Sequence, residues 1–180
     1  ATDAGLTGTH LVPYAIEQGV PELAAASIIG VMGLTNVPGS LISGWLADRV
    51  DSRWVLAGIF ASRVVALLAL PYLSDPTGLF AFAVLFGFGW IAQRAPMTDI
   101  VTRLYGKRSV GGVLGWVSPG HQLGAAAMAY AAGALHMANG SYLLAFQVGA
   151  ALTVIAVVSV LLIRREPAAP QPLTVEGMTT

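Results

Sequence analysis

Cysteine is absent from the 180 residues. That excludes a disulfide frame, a thiol nucleophile and a thiolate metal site. Charge is scarce. Nine Lys and Arg and nine Asp and Glu make up 10% of the chain, where ordinary soluble domains carry about 25%. So few charges cannot give a fold of this size a polar surface, and with a net charge of zero there is no basic excess for nucleic acid. A disordered chain is excluded by the same arithmetic, since disorder needs low hydrophobicity with high charge. Catalytic signatures are missing too: there is no G-x-S-x-G, no H-E-x-x-H and no phosphate-binding loop. The three histidines lie far apart in sequence. No metal site, cofactor or enzymatic activity is therefore expected. Residues 1–10 contain no initiator Met and lack the basic stretch and apolar run of a signal peptide. The start reads as a chain cut open inside a longer protein.

What is present is apolar. Hydrophobic residues make up 56% and the mean hydropathy is +0.72, which predicts an all-α integral membrane protein. A spanning helix needs about 20 mostly apolar residues at about 1.5 Å each. Five segments qualify: 22–47, 54–73, 77–104, 110–137 and 141–163. Residues 1–18 read as the last part of a sixth helix, too short to cross alone. The breaks carry turn residues, among them Gly19-Val20-Pro21, Ser74-Asp75-Pro76, Tyr105-Gly106 and Asn139-Gly140. Residues 166–180 are Pro-rich and polar and read as a disordered tail.

Basic residues sort by side. Arg49 and Arg53 follow the first full span, Arg103, Lys107 and Arg108 the third, and Arg164 and Arg165 the fifth. The opposite loops contain no Lys or Arg, and their acids are Glu17, Glu22 and Asp75. Lys and Arg favour cytoplasmic loops. The basic loops and the tail are therefore expected in the cytoplasm of a multi-pass plasma or inner membrane protein.

The loop after the first full span has the spacing G-x-x-x-D-R-x-x-x-R, set by Gly44, Asp48, Arg49 and Arg53. Gly44 would let a neighbouring helix approach. Asp48 would pair with an Arg or sit at a helix N-terminus. Arg49 and Arg53 would anchor the helix end at an anionic leaflet. This pattern resembles the loop G-x-x-x-D-[RK]-x-G-x-[RK] of the major facilitator superfamily, in the copy between helices 8 and 9, with Asp51 where the family has glycine. Thr9-His10-Leu11-Val12-Pro13-Tyr14-Ala15 is similar to the end of helix 7 in monocarboxylate and oxalate/formate-like members. Leu104 to Gly112 resembles their helix 10–11 junction, and Gly140-Ser141-Tyr142 with Ala145-Phe146 resembles their entry to helix 12. The resemblance implies a six-helix bundle over residues 1–165, with its first helix truncated. That bundle would be helices 7–12 of a twelve-helix transporter, whose other half is missing. It implies alternating access around a midplane substrate site.

Polar groups within spans are costly and mark functional candidates. Arg94, in Gln93-Arg94-Ala95-Pro96, offers a bidentate fork to a carboxylate, or else pairs structurally within the bundle, for example with Asp99. Gly87, Gly89 and Pro96 make its helix bendable. His121, beside Gln122, can carry a proton, hydrogen-bond an anion, or bond neutrally to a carbonyl. Gly111, Gly115, Gly120 and Gly124 on the same segment suit close helix packing. Asp3 and His10 share a face of the cut helix, and a buried Asp3 could couple protons. Asn36 is a candidate donor to the cavity. Arg63 would snorkel or pair structurally, and Asp99 and Arg103, four apart, would form a helix-end ion pair. His136 is expected near an interface, and Tyr14, Trp54, Tyr72 and Tyr142 are expected as interfacial anchors.

The function expected from resemblance, Arg94 and His121 is transport of small organic anions, carboxylates above all, by proton symport or by exchange. The implied partners are the lipid bilayer, the missing N-terminal half, a small-molecule substrate and protons. Two alternatives stand: an exporter of drugs or metabolites with the same fold, and a truncated fragment that does not transport.

Overall fold

The computed structural model describes residues 2–163; Arg164, Arg165 and the polar tail lie outside the described residues. The described chain is all-helical. The helices are α1 (Thr2–Glu17), α2 (Glu22–Ala47), α3 (Ser52–Ala69), α4 (Pro76–Gly89), α5 (Arg94–Tyr105), α6 (Val110–Asn139) and α7 (Leu143–Leu161). A 3-10 turn, Leu70–Tyr72, continues α3. Since α4 and α5 share one path across the bundle, six rods result.

Local chemistry sets the boundaries. Asp75 caps α4 by accepting from the Gly78 N–H at 3.0 Å, and Pro76 fits the first turn, where no N–H is needed. Gly140 ends α6 in the left-handed conformation at φ 66°, with its N–H on the His136 carbonyl. Asp51, the departure from the family loop, caps α3 by accepting from the Arg53 N–H at 3.1 Å.

Four rods are long and apolar enough to span a membrane: Glu22–Ala47, Ser52–Tyr72, Pro76–Tyr105 and Leu143–Leu161. The 30-residue α6 was expected as a fifth. It is long enough, but its glycines, His121, Gln122 and Ser118 make it less apolar.

The main core holds Leu6, Leu11, Ile28, Met32, Leu67, Phe86 and Phe146, all essentially without solvent access. It joins α1, α2, α3, α4 and α7, with α6 contributing Met128 and Ala132. A smaller cluster of Leu56, Ala57, Ile100 and Val160 closes the basic end. The closest pairings are α3 with α7, α2 with α4 and α1 with α6. Backbones nearly touch where α2 crosses α4. A Cβ at Gly39 would collide with the Phe88 carbonyl, and one at Gly87 with Met32 and Thr35.

Two packing expectations are corrected. Gly44 meets no neighbour within 4 Å, and neither do Gly111, Gly115 and Gly120. The close backbone-to-backbone approaches fall on Gly5, Gly39 and Gly87, where helices cross. The basic-end half of α6 packs little, and Trp116 and Leu123 are 85% and 73% exposed.

Candidate functional site

The expected span 77–104 is not one continuous helix. It breaks at residues 90–93, and neighbouring side chains meet the backbone groups freed there. In a regular helix the Ile91 N–H would bond the Gly87 carbonyl. Here Gly87 accepts from the Trp90 N–H instead, and Ile91 donates to Asn36 Oδ1 at 2.9 Å. The Arg94 N–H turns to the Ile91 carbonyl, which frees the Trp90 carbonyl for Arg63 Nη2 at 2.9 Å. Arg63 Nη2 also donates to the Gly89 carbonyl, and Nη1 to Gln93 Oε1 at 3.0 Å. Pro96 has no N–H for the Ala92 carbonyl, and Ser43 Oγ supplies the missing donor at 2.6 Å. A broken helix survives at membrane depth only when neighbours satisfy its backbone in this way.

Beside the break lies a cavity of about 500 Å³ between α3, α5, α6 and α7. Its polar wall comprises Arg63, Gln93, Arg94, Ser118, His121, Gln122 and Thr153. Phe60, Met97, Val117 and Leu152 contribute the apolar lining. Arg94, His121 and Gln122, singled out from sequence on two different spans, thus face one space. The two guanidiniums differ. Arg63 is 3% exposed and fixed on the broken turn. Arg94 is exposed to the cavity, and its guanidinium has no hydrogen-bond or ion-pair partner among the described residues. Asp99, suggested as its partner, instead binds Arg103 Nε at 2.7 Å and accepts from Ser52 Oγ at 2.6 Å. Gln93, Ser43 and Thr153 were not proposed as site residues. Pro96 was the available signal for Ser43, because a proline within a span leaves a carbonyl four residues earlier in need of a donor.

Other expected site residues lie elsewhere. Asn36 does not line the cavity; its side-chain oxygen accepts from the broken turn. His10 sits at the base-poor end, with Nε2 2.8 Å from the Ala129 carbonyl and Nδ1 3.3 Å from Tyr142 Oη. The same cluster contains His136, 3.1 Å from Glu17 and stacked on Tyr142 at 4.0 Å. Tyr14 and Tyr142, expected as interfacial anchors, are buried at 5% and 6% exposure, and Tyr14 donates to the Leu70 carbonyl. Trp54 and Tyr72 are exposed. Asp3 is the second residue of α1, and its side chain lies outside the described residues. At the basic end Arg53 pairs with Asp51 at 2.7 Å and donates to the Ile163 carbonyl, joining α3 to the end of α7. Arg49 lies over the Trp45 ring at 4.2 Å. Asp48 is the exposed C-cap of α2, and Asp51 takes the helix N-terminus instead.

Comparison with known proteins agrees with this architecture. Human monocarboxylate transporter 12 is 30% identical over 141 residues, 76% of this chain and 27% of that protein. Bovine monocarboxylate transporter 13 is 29% identical over 144 residues, 79% of this chain and 34% of that protein. The uncharacterized MFS-type transporter YcxA of Bacillus subtilis is 28% identical over 146 residues, covering 78% and 35%. The chain therefore spans about a third or less of these curated relatives. A family model described as Major Facilitator Superfamily matches residues 1–178. A match over nearly the whole chain, on six helical rods of which four are long and apolar enough to span a membrane, with a broken span beside a polar cavity, places the chain in the major facilitator superfamily.

Proposed function

We propose that the chain forms the C-terminal half of a secondary transporter for small organic anions, carboxylates above all, driven by proton symport or exchange. The observation that carries this is Arg94: a guanidinium on the wall of a cavity of about 500 Å³, with no partner among the described residues. An uncompensated cation at membrane depth is expensive, and a substrate carboxylate would neutralise it through two parallel hydrogen bonds. The volume falls within the range of about 300–1,000 Å³ usual for small-molecule sites. Gln122 adds donors, and His121 adds a group of the type that exchanges protons near neutral pH. The monocarboxylate transporters among the relatives support this substrate class. The basic end faces the cytoplasm of a plasma or inner membrane, and an N-terminal six-helix half completes the substrate path.

The test is uptake of radiolabelled lactate by the full-length protein in proteoliposomes, with and without a pH gradient. Arg94→Ala should lower kcat/KM by about 10–100-fold, the loss of one charge-assisted interaction. His121→Ala should flatten the dependence of uptake on pH. Lactate uptake and pH dependence unchanged in both variants would refute the site. Carriage of a lipophilic cation instead of lactate would favour the exporter reading.

A further inference from the structure

The broken turn is held from two sides. On one side Asn36 of α2 accepts from the Ile91 N–H at 2.9 Å. On the other, Arg63 of α3 reaches the Gly89 carbonyl, the Trp90 carbonyl and the Gln93 side chain. These acceptors directly precede Arg94, whose own N–H is turned back to Ile91. The direction in which α5 leaves the turn depends on how these groups are held. Three acceptors shared between two terminal nitrogens suit a guanidinium, which is rigid and always charged; a lysine ammonium would meet them through a flexible stem.

We propose that Arg63 is a positioning residue for transport: its grip on the turn at 89–93 sets where the Arg94 guanidinium stands in the cavity. The proposal rests on the reading of Arg94 as the anion's ligand. A merely structural Arg63 would stabilise the bundle without governing Arg94. The two roles separate in a double-mutant cycle.

The experiment uses the full-length protein in proteoliposomes with radiolabelled lactate, comparing Arg63→Gln, Arg63→Lys, Arg94→Gln and the double variant R63Q/R94Q. Arg94→Gln and Arg63→Gln should each raise KM at least about tenfold, with maximal rate falling less. Arg63→Lys should fall between wild type and Arg63→Gln, and it carries the test if Arg63→Gln does not fold. The double variant should be no worse than Arg94→Gln, because Arg63 acts through a side chain already removed. A double variant whose KM rises by the product of the single effects would overturn the proposal. So would an unchanged KM in Arg63→Gln beside a raised KM in Arg94→Gln. An unchanged KM in Arg94→Gln would instead refute the underlying reading of the site. Positioning is then still decided by a second readout, the rate at which a methanethiosulfonate reagent labels Arg94→Cys. This chain adds no competing thiol. Arg63→Gln should change that rate about tenfold, and an unchanged rate would overturn the proposal.

Discussion

At the scale of single residues, the fold treats similar groups in opposite ways. Arg63 and Arg94 border one cavity, yet one is held by the Gly89 and Trp90 carbonyls and Gln93, while the guanidinium of the other has no partner among the described residues. Ser43 shows how much a small hydroxyl can matter. It is 4% exposed and supplies the donor that Pro96 withholds from the Ala92 carbonyl. Ser43→Ala should cost about 1–3 kcal/mol, the penalty for a buried acceptor left unmade, read as a lower midpoint of thermal unfolding in detergent. Sequence could single out Arg94, His121 and Gln122, because polar groups in an apolar span need a reason. It could not tell that Asn36 and His10 face helices and not the cavity, because residue spacing says nothing about which rods meet. Tyr14 and Tyr142 failed for the same reason: a tyrosine near a span end looks alike whether it points to lipid or into the bundle.

At the scale of elements, hydropathy located the rods well. The bounds of α2 match the expected span at both ends, because Gly19, Pro21 and the charged loop leave no ambiguity. The third span was read as one bendable helix, whereas it is two helices with an unwound turn between them. The cause is tertiary: without Asn36, Arg63 and Ser43 alongside, four freed backbone groups would have no partners. Glycine roles divide in the same manner. Gly39 sits against the Phe88 backbone, while Gly44 faces open space. Gly39→Ala should therefore destabilise the bundle by at least about 1–3 kcal/mol, since main chain cannot move aside as a side chain can. Gly44→Ala should be neutral or stabilising by up to about 1 kcal/mol, because a Cβ there meets nothing and alanine favours a helix more than glycine does. Parallel thermal unfolding of the two variants checks the difference.

At the scale of the whole molecule, the chain is a set of paired rods, α3 with α7, α2 with α4 and α1 with α6, joined by one core and closed at the basic end by a second. The base-poor end is fastened by Glu17, His136, Tyr142 and His10 across α1, α6 and the start of α7. By contrast, the first half of α6 is largely uncovered, with Trp116 and Leu123 exposed. The proposed site lies between this bundle and a proposed N-terminal half, and such a site needs both. Proteoliposomes holding residues 1–180 alone should take up no lactate above background, and co-reconstitution with the N-terminal half should restore uptake. The family resemblance was legible because the loop, the helix junctions and the basic residues keep their order along the chain. The candidate site was only half legible, because its cavity forms from four rods that sequence does not arrange in space.

The unwound turn also has a mechanical consequence. It divides one membrane crossing into two rigid arms, and the arm on the basic side, α5, is 12 residues long, or about 18 Å at 1.5 Å per residue. A rotation of about 10° at the turn would carry the far tip of that arm about 3 Å, roughly the diameter of a water molecule. The neighbouring rods would not need to bend. Because Arg94 is the first residue of that arm, the same rotation scarcely moves its Cα but turns its long side chain with the arm, which re-aims the guanidinium within the cavity.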